Sequence, residues 1–231
     1  MIEYKEWRHV FKLDPDKEIN DDDLERICES GTDAVIVGGT QGVSFDNTID
    51  LLARIRRFPL PCILEISTVE AVVPGFDFYF VPLVLNAGGS ENAFHHHIDG
   101  LKKYGSLVKW SEVAIEGYVI LNPDSEAAKV TGARIPKDID EVKALVRLAD
   151  QMLNLPIVYL EYSGVYGDPE WVQAAKSVIE QAHLFYGGGI RTVEQAAEMA
   201  GWADTVIVGN VIYENIEFAL KTVEGVKGIR A

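Results

Sequence analysis

Phe185-Tyr186-Gly187-Gly188-Gly189-Ile190 and Val206-Ile207-Val208-Gly209-Asn210 are the stretches that decide the fold of this 231-residue chain. Each is a short apolar run that ends in glycine and gives way to a helical pattern. About one helix and one strand separate them, the spacing that the last two units of a (β/α)8 barrel need to build a phosphate cradle. Glycine suits such a rim because backbone N–H groups must reach phosphate oxygens with no side chain in the way.

Working outward, short apolar runs alternate with longer amphipathic ones along the whole chain. Strands are expected at Val10–Leu13, Ala34–Val37, Cys62–Ile66, Phe78–Val81, Tyr118–Leu121, Ile157–Glu161, Leu184–Tyr186 and Val206–Val208. Helical patterns fall at Asp21–Ser30, Asp46–Arg57, Asn92–Tyr104, Ile139–Leu153, Glu170–Glu180, Thr192–Ala200 and Tyr213–Val223. Asn20, Ser90, Asp168 and Thr192 supply N-cap chemistry. Strand and helix alternating through eight units predict a closed parallel sheet, and no Ser/Pro/Gly-rich linker divides it. The expected architecture is a single (β/α)8 TIM barrel over residues 1–231.

One unit is irregular. Ser67 to Asp77 is too short for a crossover helix with two loops, and Pro74-Gly75 would end any helix there. The helix between strands three and four is therefore expected to be missing or replaced by a loop, leaving a gap in the barrel wall. Phe76, Phe78, Tyr79 and Phe80 follow it. They read either as a buried strand or as the wall of a hydrophobic groove, and alternation of faces lets both hold.

Composition narrows the partners. Net charge is −15, with no basic stripe, which argues against nucleic acid. The 48% apolar content supports a large core. Cys28 and Cys62 lack metal-ligand spacing and read as reduced core thiols. No signal-like segment precedes Trp7 and no apolar run is long enough to span a bilayer, so a cytoplasmic protein with the option of transient contact with a membrane surface is expected. His95-His96-His97 does not read as a metal site, because consecutive helical residues point about 100° apart.

In a (β/α)8 barrel the ligand-contacting residues lie at the C-terminal ends of strands. Strand one ends in Lys12-Leu13-Asp14, a cation and a carboxylate on one face. Strand two ends in Gly38-Gly39-Thr40. Strand six ends in Tyr159-Leu160-Glu161-Tyr162-Ser163-Gly164, with Tyr159 and Glu161 sharing a face. Lys12, Ser163, Gly164, Gly189, Gly209 and Asn210 suit a phosphate monoester. Asp14 with Thr40 suits Mg2+, which takes one or two protein oxygens and leaves the rest to water and substrate phosphates. Glu161 remains as a base near a hydroxyl. Each residue also has a plainer reading: a surface lysine for Lys12, a loop cap for Asp14, a hydrogen-bond acceptor for Glu161.

These residues together resemble the PcrB/geranylgeranylglyceryl phosphate synthase family. The resemblance runs through Trp7–Pro15, Ser30–Ala34 with Gly38-Gly39-Thr40, Val73–Asp77, Tyr159–Gly164, Phe185–Ile190 and Val208-Gly209-Asn210, essentially the whole chain, and points to the bacterial branch, the heptaprenylglyceryl phosphate synthases. It implies a homodimeric barrel that joins a polyprenyl diphosphate to the C3 hydroxyl of sn-glycerol 1-phosphate, forming an ether lipid precursor and releasing pyrophosphate. By position it implies glycerol 1-phosphate binding by Lys12, Tyr159, Leu160, Glu161, Tyr162, Ser163, Gly164, Gly189, Gly209 and Asn210. It also implies Mg2+ on Asp14 and Thr40, with Glu161 and Asp14 as the catalytic pair. Phe76, Phe78 and Tyr104 are the residues expected along the prenyl groove, Tyr104 at its far end. Trp110, Trp171 and Trp202 are candidates for the dimer surface. Asp21-Asp22-Asp23 is not the aspartate motif of helical prenyltransferases, since acidic residues there favour a helix start. A geranylgeranyl donor, a phosphate-barrel isomerase or lyase, and a flavin-binding oxidoreductase are the alternatives.

Overall fold

A computed structural model describes residues 3–89 and 94–228. The expected helix start at Asn92 and its cap at Ser90 lie outside the described residues. Parallel strands close in chain order into one barrel: β1 (His9–Leu13), β2 (Ala34–Val37), β3 (Cys62–Glu65), β4 (Phe78–Val84), β5 (Val113–Ile120), β6 (Ile157–Glu161), β7 (His183–Gly187) and β8 (Thr205–Val208). Closure is made by β1 on β8, with Val10 opposite Ile207.

Alternation within each strand splits the apolar residues into two bodies. Phe11, Leu13, Val35, Val37, Leu160 and Val208 face the outer helices. Val10, Ile36, Ile63, Phe80, Tyr159, Phe185 and Ile207 fill the lumen. The lumen is plugged at its N-terminal end by aromatics: Tyr4 packs its ring 5.8 Å from both Phe78 and Phe80, and Trp7 lies 6.4 Å from Phe80. The open end is therefore the opposite one, where the strands finish.

The outer layer comprises α1 (Asp21–Glu29), α2 (Phe45–Ile55), α3 (His96–Tyr104), α4 (Glu126–Thr131), α5 (Ile139–Arg147), α6 (Pro169–Lys176), α7 (Val193–Ala200), α8 (Val211–Glu214) and α9 (Ile216–Lys227). The caps act as expected where described: Asn20 accepts from the Asp23 N–H, Asp168 from Glu170 and Thr192 from Gln195. Between β3 and β4 stands only a single 3-10 turn, Val69–Ala71, so the gap in the wall is present.

Four elements differ from the sequence expectation. β5 begins at Val113, not Tyr118, because Glu116 and Gly117 interrupt the apolar pattern yet belong to the strand. A Cβ on Gly117 would lie 2.7 Å from the Ala149 Cβ, so glycine there admits the chain that follows α5. β4 runs on through Pro82 to Val84. Pro82 shares the parity of Phe80, whose carbonyl accepts from Ile66 on the β3 side, and the β3 ladder ends at Phe80. The N–H that proline lacks therefore had no ladder partner to lose. Finally, α5 does not stop cleanly: it passes into a π turn, Leu148–Met152, and the short helix α4 was not expected at all.

Candidate active site

The strand ends open into a cavity of about 2020 Å³ that continues as a groove toward the gap after β3. At its floor the lumen residues turn from apolar to polar within one layer. Lys12 Nζ donates to Glu65 Oε1 at 2.5 Å and lies 5.6 Å from the centre of the Tyr159 ring. Tyr159 stacks on Tyr118, ring centres 4.5 Å apart. The Tyr118 hydroxyl donates to Glu161 Oε2 at 2.6 Å, and the Ser163 N–H donates to Glu161 Oε1 at 2.5 Å. Glu161 is 2% exposed, so its carboxylate is aimed by two donors rather than left to rotate.

Below this layer Glu116 is wholly buried, with no hydrogen-bond partner for either carboxyl oxygen, and Glu65 Oε2 also lacks one. Burial, and then the negative charge of Glu65, push the Glu116 carboxyl well above its ordinary range, which Lys12 only partly opposes. Burial thus favours the neutral form of this carboxyl. For Lys12, burial works against the charge, but Glu65, Glu161 and Glu116 together hold its ammonium above the usual value. Burial and the surrounding carboxylates likewise raise both phenols, Tyr118 and Tyr159, so both stay protonated. One cation, Lys12, thus stands among three lumen glutamates, Glu65, Glu116 and Glu161.

Sequence reasoning did not single out Glu65, Glu116 or Tyr118. For Glu65 the signal was available: a charged residue ending the apolar run Cys62–Leu64, the same pattern that pointed to Lys12. Glu116 was hidden because the start of β5 was placed too late, and Tyr118, which opened the expected strand, read only as part of its apolar run. Tyr213 was also missed, although its hydroxyl accepts from the Asp14 N–H at 2.9 Å and holds the end of β1.

Around the rim, Ser163, Gly164, Gly189, Gly209 and Asn210 all line the same cavity as Lys12. Gly189 has φ +49°, and a Cβ there would lie 2.1 Å from the Val165 carbonyl carbon, so the loops after β6 and β7 meet at that residue. Gly209 is different: a Cβ would meet only Lys12, its carbonyl oxygen at 3.5 Å and its Cβ at 4.0 Å. The backbone at the end of β8 is therefore open toward Lys12, as a phosphate site needs. Asn210 Oδ1 accepts from Lys17 Nζ at 2.9 Å, bringing a second cation to this end.

Leu160 and Tyr162 require correction. Both are buried in the outer core between strands and helices, on the face opposite Tyr159 and Glu161. Tyr162 packs 6.0 Å from the Tyr186 ring. Neither side chain reaches the cavity, because the period-two alternation of β6 turns it outward. Phe78 is corrected likewise: its ring belongs to the lumen plug at the far end, whereas Phe76 and Tyr104 line the groove.

Asp14 and Thr40 lie on the cavity wall. The Asp14 carboxylate sits so near the strand-two loop that a Cβ on Gly39 would be 2.5 Å from Oδ1, and that oxygen accepts from the Asp16 N–H at 3.0 Å. Among the described residues no group of three or more His, Cys, Asp or Glu side chains could hold a metal, the histidine run included. A carboxylate and a hydroxyl facing a phosphate-sized space do fit Mg2+, a hard ion satisfied by few protein oxygens. Cys28 and Cys62 are buried free thiols, as expected.

Comparison with known proteins bears on this geometry. A model of the PcrB family matches residues 2–227. The chain is 58% identical over 228 residues to the heptaprenylglyceryl phosphate synthase of Brevibacillus brevis, covering 99% of each. It is 58% identical over 227 residues to that of Geobacillus kaustophilus, covering 98% of this chain and 95% of the relative. Among solved structures it is similar to (S)-3-O-geranylgeranylglyceryl phosphate synthase from Thermoplasma acidophilum in complex with the substrate sn-glycerol-1-phosphate. The TM-score is 0.85 at 25% identity, over 96% of this chain and 94% of that one.

Proposed function

The chain belongs to the PcrB family, and on that footing we propose that it is a prenyltransferase joining a polyprenyl diphosphate, heptaprenyl by preference, to the C3 hydroxyl of sn-glycerol 1-phosphate. The single observation that carries this reading is one cavity holding a phosphate-type rim, an aimed glutamate and an apolar groove together. An isomerase or lyase of small phosphorylated compounds has no use for such a groove.

Lys12 spends one of its three N–H donors on Glu65 and keeps two for the glycerol phosphate. Backbone N–H groups at Gly164, Gly189 and Gly209 complete that end. The C3 hydroxyl then lies toward Glu161, whose carboxylate retains lone pairs beyond those used by Tyr118 and Ser163. In the transfer the allylic carbon–oxygen bond breaks, its electron pair leaving with pyrophosphate. The glycerol oxygen bonds to that carbon and Glu161 takes the hydroxyl proton. Mg2+ on Asp14 and Thr40 would supply neutralisation of the diphosphate leaving group. The prenyl tail lies along the groove past Phe76 toward Tyr104, where each buried methylene contributes about 0.8 kcal/mol. The protein works in the cytoplasm as a homodimer, with transient membrane contact to collect its lipid substrate; buried, reduced thiols suit that compartment.

The test is transfer of labelled glycerol 1-phosphate into the organic phase with geranylgeranyl or heptaprenyl diphosphate, with and without Mg2+. Transfer with Mg2+ alone is expected, faster with the longer donor. No transfer by folded protein with either donor overturns the reading. Glu161→Gln is expected to lower kcat about a hundredfold to ten-thousandfold while glycerol phosphate still binds; unchanged kcat removes Glu161 as the base.

A further inference from the structure

Where the groove leaves the barrel, the chain exposes a run of large apolar side chains, of which Phe94, Leu101, Leu107 and Trp110 lie on the lining of the groove itself. Phe94, Ile98, Leu101, Leu107 and Trp110 are 55%, 56%, 48%, 76% and 60% exposed, although buried positions dominate the rest of the apolar residues. All five lie within residues 94–110: Phe94 just before α3, Ile98 and Leu101 on it, and Leu107 and Trp110 after it. α3 buries no residue, so this helix rests at the groove mouth with its apolar side chains uncovered by the described residues. Contiguous exposed apolar surface of this kind marks an interaction site.

Charge indicates the partner. In a chain of net charge −15, residues 94–110 carry Lys102, Lys103 and Lys109 against one carboxylate, Asp99, while among the described residues Glu70 and Glu112 face Lys103 and Lys109 from neighbouring turns. Glu112 engages Lys109 at 3.4 Å between exposed side chains, a contact too weak to neutralise the cluster. A second copy docking through this patch by two-fold symmetry would set a lysine-bearing face against an identical one. An anionic lipid surface pairs with them and receives the apolar side chains between them. Tryptophan beside lysine at an apolar boundary is also the residue mix of a membrane–water interface.

We propose that residues 94–110 form a docking surface for an anionic phospholipid bilayer, seating the groove mouth on the acyl layer so that a polyprenyl tail enters without crossing water. This rests on the prenyltransferase reading for its purpose, but not for its test.

The experiment uses the full chain with vesicles of phosphatidylcholine, with or without phosphatidylglycerol. Co-sedimentation with the anionic vesicles is expected, falling about tenfold or more in Lys102→Glu/Lys109→Glu. Brominated acyl chains should quench tryptophan fluorescence in the wild type. Trp110→Phe keeps an aromatic anchor and should still sediment while losing that quenching. Absence of anionic-vesicle binding, equal binding by the charge-reversed variant, or quenching that persists in Trp110→Phe overturns the proposal. So does a Leu107→Ser variant that converts a dimer to a monomer in solution, which would make the patch a self-contact. Transfer is assayed separately with geranylgeranyl diphosphate in detergent micelles. Docking without transfer leaves this surface standing and the enzymatic reading fallen; transfer without docking does the reverse.

Discussion

Glu116 reaches the lumen with two unpartnered oxygens, and the physics of that position is testable apart from any reaction. A carboxyl raised above its ordinary value of 4.5 stays protonated in the folded chain while the unfolded chain ionises. Folding then loses stability as pH rises above that value, at up to about 1.4 kcal/mol per pH unit. Glu116→Gln removes the penalty, so urea denaturation should find it equal to wild type near pH 4 and more stable near pH 7. A gap independent of pH would mean that Glu116 is ionised in place. The glycines at the rim separate two roles in the same way. Gly209→Ala meets only ordinary contact from protein, so its melting temperature should hold while KM for glycerol phosphate rises. Gly189→Ala drives a methyl into the backbone at Val165, at a φ that disfavours side chains, and should cost about 1–3 kcal/mol of stability. An unchanged KM in Gly209→Ala would remove the phosphate from the end of β8. Lys12, Asp14 and Glu161 were legible because a charge at the end of an apolar strand is a local signal. Which groups answer that charge is not local: Glu65 lies 53 residues beyond Lys12.

The elements were readable where one period held throughout, and misread where a residue served a neighbour instead. β5 is the clearest case, since Glu116 faces the lumen and Gly117 makes room for Ala149. The π turn after α5 has a similar tertiary cause. Its Asp150 is buried and accepts the N–H groups of Glu180, Gln181 and Ala182 at 2.8, 3.0 and 2.7 Å, tying the turn to the segment that enters β7. Burial alone would raise this carboxyl, but the three donors outweigh it and hold it below the ordinary 3.8. Its stabilisation is therefore present above that value and is lost as pH falls through the lowered folded value. Asp150→Asn should cost about 2 kcal/mol at pH 7, and denaturation measured toward pH 3 should show the difference narrowing. A constant difference would point to packing instead of charge.

At the scale of the molecule, the barrel brings eight strand ends to one rim, and binding there stabilises the entire fold. Glycerol 1-phosphate at a hundred times its Kd should add about 2.7 kcal/mol, read as a rise of several degrees in melting temperature. The rise should shrink in Gly209→Ala. Among the described residues no helix is long and apolar enough to cross a membrane. By itself the sequence determined the strand order, the missing helix after β3 and the glycine-ended rim, because periodicity and chain breakers act over a few residues. It also marked Lys12, Asp14 and Glu161 as candidates from their places at strand ends, and all three line the cavity. Only the closed barrel decided which face each residue takes: Leu160 and Tyr162 outward, Phe78 into the plug, Glu65, Glu116 and Tyr118 around the one lysine. Closure decides this because strand register, set by packing across the whole sheet, brings together charges that the chain holds far apart.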